Sequence, residues 1–508
     1  MEVLSLCLVA LATVTIFALF LEKFTASSGG KSKSKRPRLP PGPWTLPIIG
    51  SLHHLLGGLP HRRMMELSRL HGPLMFLRFG EVPNVVVSSA EAAELVMKTH
   101  DLTFATQPRS ATIDVISGGG KGIALAPYGD HWRQMRKICI VELLSAKQVK
   151  RMESIRSQEV AKLLRSVSDA AASSSSIVNI SNLVAVLSND ITARAVFGGM
   201  HAQQSEYRRE LGQVVKLIGG FCPADLFPSS RLVRWLSSGE RNLRKSYGGI
   251  QRIIDNIIDG RKAERESHVA SSADDEDLLG VLLRLKEEDS LAFPLTSESI
   301  GAVISDIFGA GSESSSTTLV WAMSELTKNP EAMAKAQIEA RKVLGRGRVV
   351  IANADLGELH YLQMIIKEVL RLHPPATLLV PREARDNCEI MGYDIPKGTK
   401  IHVNAFAISR DPRHWENPET FKPERFSNNN IDYKGTNFEF TPFGAGRRVC
   451  PGMLFGTSTL EIALANLLYH FDWVLPNGAC PYTLDMSEKF GITVSRKYDL
   501  ELIAIPST

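Results

Sequence analysis

The sequence predicts a mainly α protein with small β-sheets, tethered by an N-terminal transmembrane helix. Three observations carry this. Helical apolar spacing dominates from Pro60 onward, Leu74–Ser88 (LMFLRFGEVPNVVVS) is a β-branched segment broken by a turn, and Val3–Leu21 contains no charged residue. The chain has 508 residues, 44% of them hydrophobic and 22% charged. That composition gives a globular protein with a real core, and the length fits two domains or one large domain around a deep site. No internal repeat is present.

The first element, VLSLCLVALATVTIFALFL from Val3 to Leu21, comes close to the roughly 20 apolar residues a helix needs to cross a hydrocarbon core. A cleavable signal peptide would instead show an early basic region, a shorter apolar stretch and a small-residue cleavage site. Here the early charge is Glu2, and the basic residues follow the apolar run. Residues 1–22 therefore read as a transmembrane signal-anchor, single-pass, with the rest of the chain in the cytosol. Residues 23–43 form a basic linker, with Lys23, Lys31, Lys33, Lys35, Arg36 and Arg38, and end in Leu39-Pro40-Pro41-Gly42-Pro43, a stiff proline-rich hinge. Residues 44–508 form one cytosolic domain. Much of the formal net charge of +5 lies in the linker, so no nucleic-acid partner is indicated. The 6 cysteines (Cys7, Cys139, Cys222, Cys388, Cys450, Cys480) lack metal-type or disulfide-type spacing, which suits a reducing compartment.

Within the domain, Ser173–Ser176 and Ser267–Asp277 are polar enough to be solvated connectors. A helix is expected from about Ser299 to Lys328, with Gly301, Gly309 and Gly311 inside it. Each interior glycine costs about 1 kcal/mol relative to alanine. Close helix packing would explain them; so would a flat group pressed against the helix, the explanation preferred because the cysteine loop further along the chain calls for such a surface. Tyr361–Leu372 (YLQMIIKEVLRL) has helical spacing with Glu368 and Arg371 on one face. The stretch Phe443-Gly444-Ala445-Gly446-Arg447-Arg448-Val449-Cys450-Pro451-Gly452 surrounds one cysteine with three glycines. Glycine allows a tight fold that directs amide hydrogens at a sulfur that must stay anionic, and Arg448 adds a cation. The other cysteines read as inert small hydrophobes.

This loop resembles the Phe-x-x-Gly-x-Arg-x-Cys-x-Gly signature of the cytochrome P450 family, with all fixed positions matched. The resemblance implies the P450 fold, in which haem b (iron protoporphyrin IX) lies between a long distal helix and the proximal cysteine loop. Cys450 would be the iron ligand, and a thiolate ligand favours O–O cleavage. By the same resemblance Phe443 belongs to the haem site, and Trp132, Arg136, Arg382 and Arg448 converge on the haem propionates. Ala310-Gly311-Ser312-Glu313-Ser314 resembles the distal oxygen-binding motif: Ala310 and Gly311 lie against the cofactor, and Glu313 and Ser314 are catalytic in proton delivery. Ser314 stands where the family usually has threonine; without the β-branch its hydroxyl is less firmly aimed, and some peroxide leakage is expected. Glu368, Arg371 and Arg425, the last from Pro423-Glu424-Arg425-Phe426, would form a buried structural triad.

The implied reaction inserts one atom of O₂ into a C–H or C=C bond and releases the other as water. No dinucleotide fingerprint is evident, so electrons from NADPH would arrive through a separate flavoprotein reductase. Lys137 and Arg447 could meet its acidic surface, or be ordinary solvated charges. By family position the pocket comprises Thr106–Leu125, Leu217–Asp225, Val303–Ser314, Ala376–Val380 and the region of Gly491-Ile492, mostly apolar, which suits a lipophilic substrate. The chain looks similar to the plant A-type group, and within it to sesquiterpenoid and diterpenoid oxidases of the endoplasmic reticulum membrane. Alternatives are a phenolic, indolic or fatty-acid-derived substrate, a haem-thiolate isomerase or dehydratase working without O₂, and a non-enzymatic membrane haem protein. Glu313 and Ser314 argue against the last two.

Overall fold

A computed structural model describes residues 37–172, 177–199, 203–218, 222–266, 276–288, 291–345 and 347–507. The expected anchor, residues 23–36 of the basic linker, Ser173–Ser176 and most of the second connector lie outside the described residues. Among the described residues, no helix is long and apolar enough to cross a membrane.

The molecule is organised around the helix Ser297–Lys328. It starts where Thr296 accepts a hydrogen bond from the Ser299 amide (3.1 Å) and stops at Asn329, before Pro330 opens the next helix, Pro330–Leu344. From Ser315 to Thr327 every residue is buried, so this half carries no polar face. Its hydroxyls are satisfied inside the helix: Thr318, Ser324 and Thr327 donate to the carbonyls of Ser314 (2.9 Å), Val320 (2.6 Å) and Met323 (2.7 Å). The helices Ile180–Phe197 and Met453–His470 pack on it, and the largest apolar cluster forms around all three.

The expected hairpin is present. Leu74–Phe79 pairs antiparallel with Val82–Val87, from Leu74 opposite Val87 to Phe79 opposite Val82. Val85, Val86 and Val87 are all buried because both faces of this strand are covered. Lys400–Val403 adds to it in parallel and Arg382–Glu383 closes the four-stranded sheet. The turn requires glycine at Gly80: φ is +60°, and a Cβ there would stand 2.4 Å from the Leu226 carbonyl. The proline segment lies along this sheet. Phe76 donates its amide to Pro41 (2.9 Å), and Arg38 exchanges two hydrogen bonds with Asp394.

A small antiparallel pair, Glu488–Lys489 with Ser495–Arg496, forms the C-terminal hairpin. It is fastened to the first long helix, Pro60–His71, because Glu488 accepts from His61 (3.1 Å) and twice from Arg62 (2.7 and 2.9 Å). The expected helix at Tyr361 spans His360–Leu372, and the Glu339 carboxylate caps it by accepting the amides of Tyr361 (2.7 Å) and Leu362 (3.0 Å).

Candidate active site

The cysteine loop folds as its glycines suggested. Gly444 and Gly446 have φ of +70° and +69°, and a Cβ at Gly446 would meet the Met97 carbonyl at 2.0 Å. The Cys450 amide donates to the Phe443 carbonyl (3.0 Å), which closes the loop, and the helix Met453–His470 begins three residues later. Burial pushes the Cys450 thiol up, while the Gly452 amide and the Arg136 guanidinium favour its thiolate. Among the described residues the other cysteines are also free; Cys139 is buried and its thiol is pushed up to about 12 by that burial, as suits an inert residue.

Three guanidinium groups meet beside this loop. Arg448 donates to the carbonyls of Ala105 (2.6 Å), Ala126 (2.7 Å) and Ile123 (3.4 Å) and lies 4.1 Å from the centre of the Trp132 ring. Arg382 donates to the Ala445 carbonyl (2.9 Å) and pairs with Asp101 (3.3 Å). Arg136 donates to the Val449 carbonyl, and its buried Nε has no partner. Burial holds all three below the ordinary arginine range, and Arg448 is brought to about 9 by burial and then by its neighbours Arg382 and Arg136. Asp101 is engaged by Arg447 as well (3.2 Å). So concentrated a positive charge, with an unused buried donor, fits a group bearing two carboxylates, as haem b does. Trp132 contributes differently from the arginines: its indole N–H is taken by the Ile123 carbonyl (3.0 Å), so it supports Arg448 through its ring.

On the central helix, Ala310 is exposed while Glu313 and Ser314 are half-buried. Glu313 accepts a hydrogen bond from Thr493 (3.2 Å), and burial raises its carboxyl above the usual range. Ser314 donates to the Ala310 carbonyl (2.7 Å). The interior glycines face neighbouring elements: a Cβ at Gly311 would touch Thr192 (3.4 Å) and Phe455 (3.7 Å), one at Gly309 would touch Leu211 (3.5 Å), and one at Gly301 would touch Gln251 (3.7 Å). A Cβ at any of these positions would make ordinary van der Waals contact, so helix packing alone does not require glycine there.

Glu368, Arg371 and Arg425 come together in the interior. Arg371 makes two hydrogen bonds to Glu368 (2.7 and 2.8 Å), Arg425 makes a third (3.0 Å), and the Lys422 amide a fourth (2.9 Å). Arg371 also donates to the carbonyls of Ser409, Pro418 and Thr420 (2.8, 2.7 and 3.3 Å), pinning the meander that leads into the cysteine loop.

Four residues join the site that the sequence did not single out. Asp101 supplies the carboxylate among the arginines. Asp306, two turns before Glu313, accepts the amides of Ile123 (2.7 Å) and Ala124 (3.0 Å) and is raised to about 6 by burial. Gly122 permits this approach, since a Cβ there would lie 2.2 Å from the Asp306 carboxylate. Leu379, at φ +48°, comes within 3.8 Å of where a Gly444 Cβ would stand, a strained residue beside the loop. Thr493 holds Glu313. An acid inside the apolar run Val303–Phe308 was a visible signal for Asp306, and Leu379 lay within the pocket segment Ala376–Val380; Asp101 and Thr493 carried none.

A loop cysteine flanked by arginines suited to two carboxylates, in a fold whose central helix bears an acid and an alcohol, has the character of a haem-thiolate oxygenase. A family model described as Cytochrome P450 matches residues 40–501, and the chain belongs to that family. It is 50% identical over 473 residues (93% of this chain, 92% of the relative) to desmethyl-deoxy-podophyllotoxin synthase of Sinopodophyllum hexandrum. It is 45% identical to 5-epiaristolochene 1,3-dihydroxylase of Nicotiana tabacum, with 98% of each chain covered. Among solved structures it resembles that of a zebra fish cytochrome P450 with abiraterone (TM-score 0.75, 25% identity, 88% of this chain and 99% of that one). The chain is therefore a monooxygenase with haem as cofactor, using NADPH through a reductase as its family does.

Proposed function

We propose that this chain oxidises a lipophilic plant metabolite, in first place a sesquiterpenoid or diterpenoid, with Cys450 as the haem ligand. The convergence of Arg136, Arg382 and Arg448 beside the cysteine loop is the observation that carries the assignment of the cofactor position. When bound, haem supplies the chemistry of O₂ activation and oxygen insertion. The residues around it do the rest. Arg136, Arg382 and Arg448 would hold the propionates, Gly452 and Arg136 would favour the thiolate, and Phe443 would close the loop from which Cys450 projects. On the opposite side Glu313 would take protons from solvent and pass them by way of the Ser314 hydroxyl, which must turn from the Ala310 carbonyl to donate. An acid raised by burial suits this, because it holds a proton nearer to neutral pH.

The substrate class is supported by the apolar character of the segments assigned to the pocket and by the relative named for epiaristolochene. A podophyllotoxin-type product in another relative's name keeps the phenolic alternative in view. Residues 1–22 would anchor the protein in the endoplasmic reticulum membrane with the catalytic domain in the cytosol, where Lys137 and Arg447, both exposed, would face the acidic surface of the reductase. Microsomes carrying the chain and a plant reductase should convert a member of a sesquiterpene and diterpene panel to a product labelled from molecular oxygen, only with NADPH. No spectral binding and no conversion across the panel would overturn the terpenoid assignment. Product formed from a hydroperoxide without NADPH would favour the isomerase.

A further inference from the structure

The C-terminal hairpin lies along the central helix at three points. Thr493 donates to Glu313 (3.2 Å), the Trp321 indole donates to the Val494 carbonyl (3.0 Å), and Arg496 donates to Ser324 (2.8 Å). The far side is fastened too: the Val494 amide donates to Pro375 (2.9 Å), and Glu488 is held by His61 and Arg62. At the tip, Gly491 is wedged, since a Cβ there would meet the Thr493 carbonyl at 3.1 Å and the Val215 carbonyl at 3.6 Å. Thr493 is thus presented to Glu313 from a strap clamped on both sides.

We propose that Thr493 is a positioning residue for the distal acid, its hydroxyl fixing the Glu313 carboxyl for proton relay; this rests on Glu313 being the relay acid. A half-buried carboxyl on a helix has several rotamers, and one hydrogen bond from a clamped strap selects among them. The hairpin also supplies the charge that bears on Glu313, Lys489, which together with Thr493 favours the carboxylate against the burial that disfavours it. One short hairpin therefore sets both the direction of the acid and its readiness to release a proton. Without the hydroxyl, proton delivery to the O₂ site would be less reliable. O₂ would then take up two electrons and two protons and leave as hydrogen peroxide, instead of one oxygen atom entering substrate and the other leaving as water.

The test uses the full-length holoenzyme with reductase, comparing Thr493→Val, Thr493→Ser and Glu313→Gln. An infrared titration identifies the Glu313 carboxylic-acid band by its loss in Glu313→Gln. Thr493→Val should move its midpoint up by about half to one pH unit, the worth of one hydrogen bond, and raise peroxide released per NADPH several-fold. Thr493→Ser should restore both, and Thr493→Val should add no leakage in the Glu313→Gln background. If Thr493→Val does not retain haem, Thr493→Ala carries the same comparison. Haem-replete Thr493→Val with an unmoved midpoint and unchanged coupling would overturn the proposal, as would equal added leakage with and without Glu313. If Glu313→Gln itself leaves coupling unchanged, the relay role of Glu313 fails first, and that outcome is distinct.

Discussion

Ser314 stands where the resemblance to the family's distal motif leads threonine to be expected, and its hydroxyl is engaged by the Ala310 carbonyl at 2.7 Å. To serve in proton delivery the hydroxyl would have to rotate about a first torsion that serine, lacking a β-branch, does not restrict. Ser314→Ala should raise hydrogen peroxide release per NADPH several-fold, and Ser314→Thr should lower it below the natural protein; equal coupling in all three would remove Ser314 from the relay. At this scale the residues legible in the sequence were those whose chemistry is local. Cys450 and Arg448 stand among glycines that only a tight loop needs. Thr493 and Asp101 were silent because their partners lie far along the chain, 180 residues away for the Thr493–Glu313 bond and 281 for Arg382–Asp101. A threonine in a coil and an aspartate after a histidine look like any others until the fold brings them to a site.

The helix His360–Leu372 shows what an element adds to a motif. Its helical spacing predicted that Glu368 and Arg371 share a face, and such a pair is ordinarily a solvated salt bridge. Here both are fully buried, Arg425 joins them, and Arg371 reaches three carbonyls of the segment before the cysteine loop. Arg371→Met would leave Glu368 with less than its compensation and free those carbonyls. The fold should lose about 3–5 kcal/mol, and haem should be released below the unfolding temperature of the natural protein. Urea titration and haem content check this; a stable, haem-replete variant would mean the triad is dispensable. The central helix teaches the opposite lesson. Its glycines were visible, but what each one faces depends on which helix lies alongside, and periodicity says nothing of that. Gly311 turns toward Thr192 and Phe455.

Across the whole molecule, the first long helix and the C-terminal hairpin are joined through Glu488, which burial would raise but hydrogen bonds from His61 and Arg62 hold down at about 2. A depressed acid contributes stability that is present above its unfolded value near 4.5 and lost as pH falls toward 2. Glu488→Gln should lower stability by about 1–3 kcal/mol at neutral pH, and the gap to the natural protein should close between about pH 4.5 and 2. Thermal unfolding at a series of pH values checks it, and a gap independent of pH would mean that the carboxylate charge contributes nothing. Mainly α architecture, the hairpin and both functional helices were legible from spacing. The joining of distant ends was not, because it rests on side chains that carry no pattern. In the proposed site the Cys450 thiolate would hold the haem and Glu313 and Ser314 would relay protons to it. The reduced, carbon-monoxide-bound spectrum tests that most directly. The natural protein and a Cys139→Ala control should show the red-shifted Soret band of thiolate-ligated haem, and Cys450→Ala should lose both that band and turnover. Persistence of the band in Cys450→Ala would contradict the account.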